Sequence, residues 1–156
     1  MTVTVDIDIG REFAVNAPVG KVFEVLADVP LSVSHFPKVE QLVDLGGGAY
    51  RWEMQRVGTA QVGIQTVYAC KYASDRRKGS VTWTPVKGVG NAQIHGSWKI
   101  GDGKGATKVV FATGGKVDVA MPALARMIVV PVVRGEFEKL VDKYIDNLIK
   151  IFGGRA

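Results

Sequence analysis

From Pro122 to the end of the chain the apolar residues return at the interval of a helical turn. Val133, Phe137, Leu140, Val141, Tyr144, Leu148 and Phe152 fall on one arc, with Glu136, Glu138, Lys139, Asp142, Lys143, Asp146 and Lys150 outside it. Continued back to Pro122, such a helix is roughly 31 residues and roughly 46 Å long, enough to cross a whole small sheet. Pro131 removes one intrahelical hydrogen bond and crowds the preceding turn, which predicts a kink or break between Ala123 to Val130 and the remainder. Everything upstream has to supply the surface that this helix covers.

The upstream text is mostly strand. Between Val3 and Val15 the odd positions carry Val3, Val5, Ile7, Ile9, Arg11, Phe13 and Val15, and the even ones include Asp6, Asp8 and Glu12, the period of a half-buried strand. Asn16-Ala17-Pro18 then signals a helix start, with Asn16 able to cap, and Val19, Val22, Phe23 and Leu26 share one helical face to about Asp28. A second short helix or turn is expected between Pro30 and Pro37. Beyond Lys38, strand segments are broken by Gly46-Gly47-Gly48, Gly58-Thr59, Asp75 to Gly79, Lys87 to Asn91 and Gly101 to Gly105. Breaks every ~10 to 15 residues suit consecutive hairpins and leave no room for crossover helices. The expected architecture is α+β: a curved, meandering antiparallel sheet of about seven strands around a long kinked C-terminal helix, with two short helices after the first strand. At 156 residues, 47% hydrophobic and without repeat or linker, the chain reads as one domain over residues 1–156.

A sheet that wide has more inner surface than one helix covers, so space must remain between them or be filled by large side chains. The even face provides these: Tyr50, Trp52 and Met54, then Ile64, Tyr68, Cys70 and Tyr72, then Ile94 and Trp98, with Trp83 on the strand from Ser80. Phe137 and Val141 face the same interior from the helix. Arg56 shares the parity of Met54 and points inward unless a bulge intervenes or the strand end there reaches solvent. The candidate ligand-binding set is therefore Tyr50, Trp52, Met54, Arg56, Tyr68, Tyr72, Trp83, Trp98, Phe137 and Val141: apolar in bulk, with tyrosine hydroxyls as polar handles.

The run Phe13-Ala14-Val15-Asn16-Ala17-Pro18, followed by Lys21 to Asp28 and by Phe36-Pro37-Lys38-Val39-Glu40, resembles the START-like (SRPBCC) superfamily of polyketide cyclases, lipid and sterol carriers, ubiquinone-binding proteins and birch-pollen-type allergens. Gly90 to Trp98, the threonine-rich strand ending near Thr113 and the apolar C-terminal helix are similar to the branch of that superfamily associated with carbon-monoxide dehydrogenase. The resemblance spans nearly the whole chain. It implies a helix-grip fold with a ligand between sheet and helix, and it transfers no catalytic residue.

Other chemistry finds little support. His35, His95 and Cys70 lack metal-ligand spacing, so no metal is expected. His95 shares the outward parity of Gln93 and Ser97, and His35 lies near the expected cavity entrance. Cys70 reads as a small buried hydrophobe. Gly46-Gly47-Gly48 is a hairpin turn rather than a phosphate cradle, and no cofactor is expected. The formal charge is +5, but the one compact basic run, Arg76-Arg77-Lys78, sits in a turn, so nucleic acid is not an expected partner. One cysteine and an N-terminus without the pattern of a signal peptide point to a cytoplasmic protein.

The leading expectation is binding or transport of a hydrophobic small molecule such as a lipid, a quinone or a polyketide. One alternative is a cyclase, dehydratase or isomerase in which Tyr68, Tyr72 or His35 moves protons. Another is an accessory factor that meets a redox enzyme or a membrane surface through Ala123 to Val133, where Met127, Ile128, Val129 and Val130 are apolar on every side.

Overall fold

The strict alternation of the first segment makes strand β1, Val3–Val15, whose odd-numbered apolar residues are buried while Asp6 and Asp8 are exposed. The computed structural model describes residues 2–156. Helix α1, Val19–Ala27, buries Val22, Phe23, Val25 and Leu26, and the short helix α2, Val29–Val33, comes directly after it. Asp28 separates them by accepting a bond from the Leu31 N–H at 3.2 Å, the side-chain cap that a helix start needs.

Asn16 does not cap α1. Its Nδ2 instead donates to the carbonyls of Gly153, Gly154 and Arg155 at 3.0–3.3 Å. With Ala17 N–H to Phe152 C=O and Ala156 N–H to Ala14 C=O, these bonds clasp the C-terminal tail to the end of β1. A contact with the far end of the chain has displaced the local signal.

The remaining strands are β2 (Val39–Gly46), β3 (Ala49–Met54), β4 (Val57–Gly58), β5 (Gly63–Ile64), β6 (Val67–Asp75), β7 (Ser80–Pro85), β8 (Ala92–Gly103) and β9 (Ala106–Val119). β1 and six of these form one seven-stranded antiparallel sheet in the order β1-β9-β8-β7-β6-β3-β2, and β4 pairs with β5 as a separate small hairpin at the expected Gly58-Thr59 break. β1 and β2 are opposite edges, so the sheet curves without closing. Strand β9 does not stop near Thr113; pairing with β1 on one side and β8 on the other carries it through Gly114 and Gly115 to Val119.

After a single 3-10 turn, Ala123–Ala125, helix α3 runs from Arg126 to Ile151. It passes through Pro131 without a break. The proline ring faces solvent, and Val129 and Val133 on either side are fully buried, so packing carries the helix across the lost hydrogen bond. Its 26 residues make ~39 Å at ~1.5 Å each, close to the ~45 Å of a 14-residue strand. One helix therefore spans the length of the sheet, and the buried side chains of both form a single cluster. Arg11 on β1 pins the solvent side of α3 through Asp142 at 2.7 Å and Glu138 at 3.3 Å.

Replacing Asn16 by Ala removes three bonds from the tail clasp. It is expected to lower unfolding free energy by about 1–2 kcal/mol, read as a lower denaturant midpoint at unchanged slope.

Candidate functional site

The inward face of a curved sheet carries side chains that converge, and here most of them are aromatic. Trp52 lies over Tyr68 with centroids 5.4 Å apart, and its Nε1–H donates to the Tyr72 hydroxyl at 3.0 Å. Tyr72 meets Trp83 at 5.8 Å, Trp83 meets Phe111 at 6.0 Å, and Phe111 meets Trp98 at 4.6 Å. Trp98 touches Tyr144 of α3 at 5.8 Å, Tyr144 touches Phe36 at 4.9 Å, and Phe36 returns edge-on to Trp52 at 5.2 Å. The contacts close a circuit. Within it lies a cavity with a void of about 60 Å³, whose lining also includes Ile7, Leu26, Ser32, Ile94, Thr113, Phe137 and Val141.

Gly96 on β8 makes part of this circuit geometrically available. A Cβ there would stand 2.3 Å from Trp83 Cζ2, so only a residue without a side chain lets the indole lie against the β8 backbone.

The lining contains no Asp, Glu, His, Lys or Arg. Its polar side-chain groups are hydroxyls and indole N–H groups. Ser32 Oγ and Tyr144 Oη bond to each other, and Tyr72 accepts from Trp52. Burial is the main force that pushes the hydroxyls of Tyr68, Tyr72 and Tyr144 above the ordinary phenol range, the Ser32 bond offsetting part of it at Tyr144. All three stay protonated at neutral pH and act as hydrogen-bond donors or acceptors, not as bases.

Of the ten residues singled out from the sequence, Trp52, Tyr68, Tyr72, Trp83, Trp98, Phe137 and Val141 line the cavity. Tyr50 stands outside it and meets Tyr72 edge-on at 5.9 Å. Met54 is buried beyond the lining. Arg56 is exposed, because β3 ends at Met54 and the parity of the strand no longer orients the residues past its end. Eleven lining residues lie outside that set, among them Ser32, Phe36, Phe111 and Tyr144. Tyr144 stands on the helical arc and Phe111 shares the parity of Val109 and Val117, so both had a signal; Phe36 and Ser32 lie in or beside a short helix with no usable period.

Elsewhere, His95 is exposed, and His35 is half-buried at the end of α2, where its carbonyl accepts from Asn147. Cys70 is fully buried, its thiol directed at the Ile94 carbonyl at 3.2 Å and pushed up to about 12 by burial. Among the described residues no three His, Cys, Asp or Glu side chains come together as metal ligands, and no helix is long and apolar enough to cross a membrane.

Neither a protein-family model nor a curated protein matches the sequence. Solved structures match over almost the whole chain. A START superfamily protein from Mycobacterium smegmatis is similar at a TM-score of 0.67 and 11% identity, with 93% of this chain and 96% of that one covered. The fold is START-like. The helix-grip expectation is thus met by topology, and two further solved structures share the architecture. The Zhui aromatase/cyclase from Streptomyces sp. R1128 is similar at a TM-score of 0.59 and 19% identity, covering 93% of this chain and 90% of that one. Ara h 8.0201 is similar at a TM-score of 0.63 and 12% identity, covering 94% and 97%. At such identities the START-like likeness concerns architecture, and function has to be argued from the site.

The packing generates two expected outcomes. Gly96→Ala forces Trp83 out of its place and is expected to cost about 1–3 kcal/mol, with a changed near-ultraviolet tryptophan signal. At pH 8 a thiol reagent such as DTNB is expected to leave Cys70 untouched in the folded protein and to label it once guanidinium unfolds the chain, because the buried group is not a thiolate.

Proposed function

We propose that this protein binds a hydrophobic small molecule between its sheet and α3, as a carrier or binding protein. The observation that supports it most is the aromatic circuit itself: a ring of side chains around a void, apolar in bulk, with hydroxyls placed to orient a guest. Affinity comes from burial, at ~25 cal/mol per Å² of apolar area removed from water.

A void of about 60 Å³ is smaller than the ~150 Å³ that admits benzene, so on this reading the protein has a closed form, and a ligand has to displace side chains to enter. Phe36 and Phe137 are the natural ones to move, since both line the cavity and are only half-buried. The Zhui protein is an aromatase/cyclase. Proton abstraction needs a group whose pKa lies near the working pH, and the lining of this cavity offers hydroxyls held protonated instead, which favours binding over turnover.

A second reading concerns contact with a lipid surface, and it rests on a separate observation. Leu124, Met127 and Ile128 are 98%, 89% and 60% exposed on one face at the start of α3, beside the exposed Arg126, in a chain of formal charge +5. Co-sedimentation with anionic liposomes at low salt, lost in Leu124→Ser/Met127→Ser, is the expected result; wild type that stays in the supernatant would remove it.

Native mass spectrometry of gently purified protein, with titration of a hydrophobic fluorescent probe, tests the main proposal. A co-purified mass or probe fluorescence that saturates is expected; a protein that is empty and ignores the probe overturns it. Phe137→Ala, by opening the closed form, is expected to raise the probe's association rate about tenfold, since side-chain displacement limits access.

A further inference from the structure

Beside the cavity lies a second, open cleft of about 550 Å³ that the hydrophobic-binding reading does not use. Its walls carry Lys38, Arg56, Lys139 and Lys143 with a single carboxylate, Glu136. Glu136 is engaged with Lys139 at 3.3 Å. Among the described residues no carboxylate lies within 4 Å of the charged ends of Lys38, Arg56 or Lys143. Three uncompensated cations thus face one concavity.

Two features constrain the surroundings of two of these cations. The Arg56 guanidinium lies against the Gly63 backbone so closely that a Cβ there would stand 2.2 Å from Nη2 and 2.6 Å from Nε; Gly63 is the residue that lets the fork rest on the β4–β5 hairpin. Lys38 has a φ of 60°, the one left-handed non-glycine among the described residues, and its carbonyl is fixed by the Gln55 N–H at 2.8 Å. A lysine costs more than glycine or asparagine in that conformation. Unfavourable backbone retained at a ligand-sized concavity is what a binding role explains.

The cleft also adjoins the cavity. Phe36 lines the cavity, and Pro37 and Lys38, next in the chain, line the cleft; Phe137 and Val141 line the cavity, and Glu136 and Leu140, next to them on α3, line the cleft. Residues adjacent in the chain at Phe36–Lys38 and Glu136–Val141 thus line both spaces. We propose that the cleft receives the oxyanion head group, a carboxylate or phosphate, of an amphipathic ligand whose apolar part enters the aromatic cavity past Phe36 and Phe137. The proposal rests on the cavity-binding reading and adds to it the chemical class of the ligand: a guanidinium fork and two ammonium groups match an oxyanion, and a neutral or cationic lipid has nothing to gain there.

Titration calorimetry at low salt with decyl phosphate, decanol and inorganic phosphate tests it, using wild type, Arg56→Gln/Lys143→Gln, and Lys87→Gln/Lys104→Gln as a control that removes two exposed charges outside the cleft. Decyl phosphate is expected to bind wild type and the control about tenfold more tightly than decanol. In Arg56→Gln/Lys143→Gln that advantage is expected to shrink to about twofold or less, with decanol binding unchanged, and added salt should erode it in wild type. Equal binding of decanol and decyl phosphate to wild type would overturn the head-group assignment while leaving the cavity reading in place. Inorganic phosphate binding as tightly as decyl phosphate would assign the cleft to a free anion and also overturn it. Failure of both decyl compounds to bind would remove the cavity reading and this proposal together.

Discussion

The structure depends on one contact, between the apolar arc of α3 and the concave face of a sheet that is too wide for a single helix to cover. Val133, Leu140, Val141, Tyr144 and Leu148 are buried in that contact, and the sheet bends toward them without its edge strands meeting. Because the helix and the longest strands are of similar length, the contact runs from one end of the molecule to the other. The misfit in width, not in length, leaves interior space.

That space is organised by aromatic rings rather than by aliphatic side chains. Rings are flat and rigid, so a circuit of edge and face contacts supports its own members while leaving a gap that branched chains would fill. The hydroxyls and indole nitrogens on the rings need partners in a low-dielectric interior, and they largely find them in one another: Tyr72 with Trp52, Tyr144 with Ser32. A hydroxyl kept protonated by burial is a steady donor, which suits recognition of a carbonyl or hydroxyl on an apolar guest.

Much of this was legible in the residues because pleat and helical arc convert directly into burial. Trp52, Tyr68 and Trp98 could be placed by parity alone, and Phe137 and Val141 by the arc, since each lies well inside its element. The failures sit at element ends. Arg56 was read with the parity of a strand that stops two residues earlier, and Asn16 with the grammar of a helix start, although its amide is taken by the tail from Gly153 to Arg155. Phe36 had no period to betray it. The cleft beside the cavity was illegible for another reason: Lys38, Arg56 and Lys143 are far apart in the chain, and only the folded backbone brings them to one wall. The size of the void was beyond reach as well, because it is set by the rotamers of the rings that surround it.

The two ends of α3 are held very differently. Its foot is tied to β1 by the Asn16 amide and by the backbone bonds of Ala17 and Ala156, whereas its first residue, Arg126, reaches the Thr4 carbonyl of β1 at 3.3 Å while Leu124 of the preceding turn and Met127 stay in solvent. Arg134 adds a bond to the Asp6 carbonyl at 3.0 Å and Arg11 one to Asp142 at 2.7 Å, so strand β1 serves as a rail for α3, and sliding the helix over the interior means breaking bonds at several points rather than one.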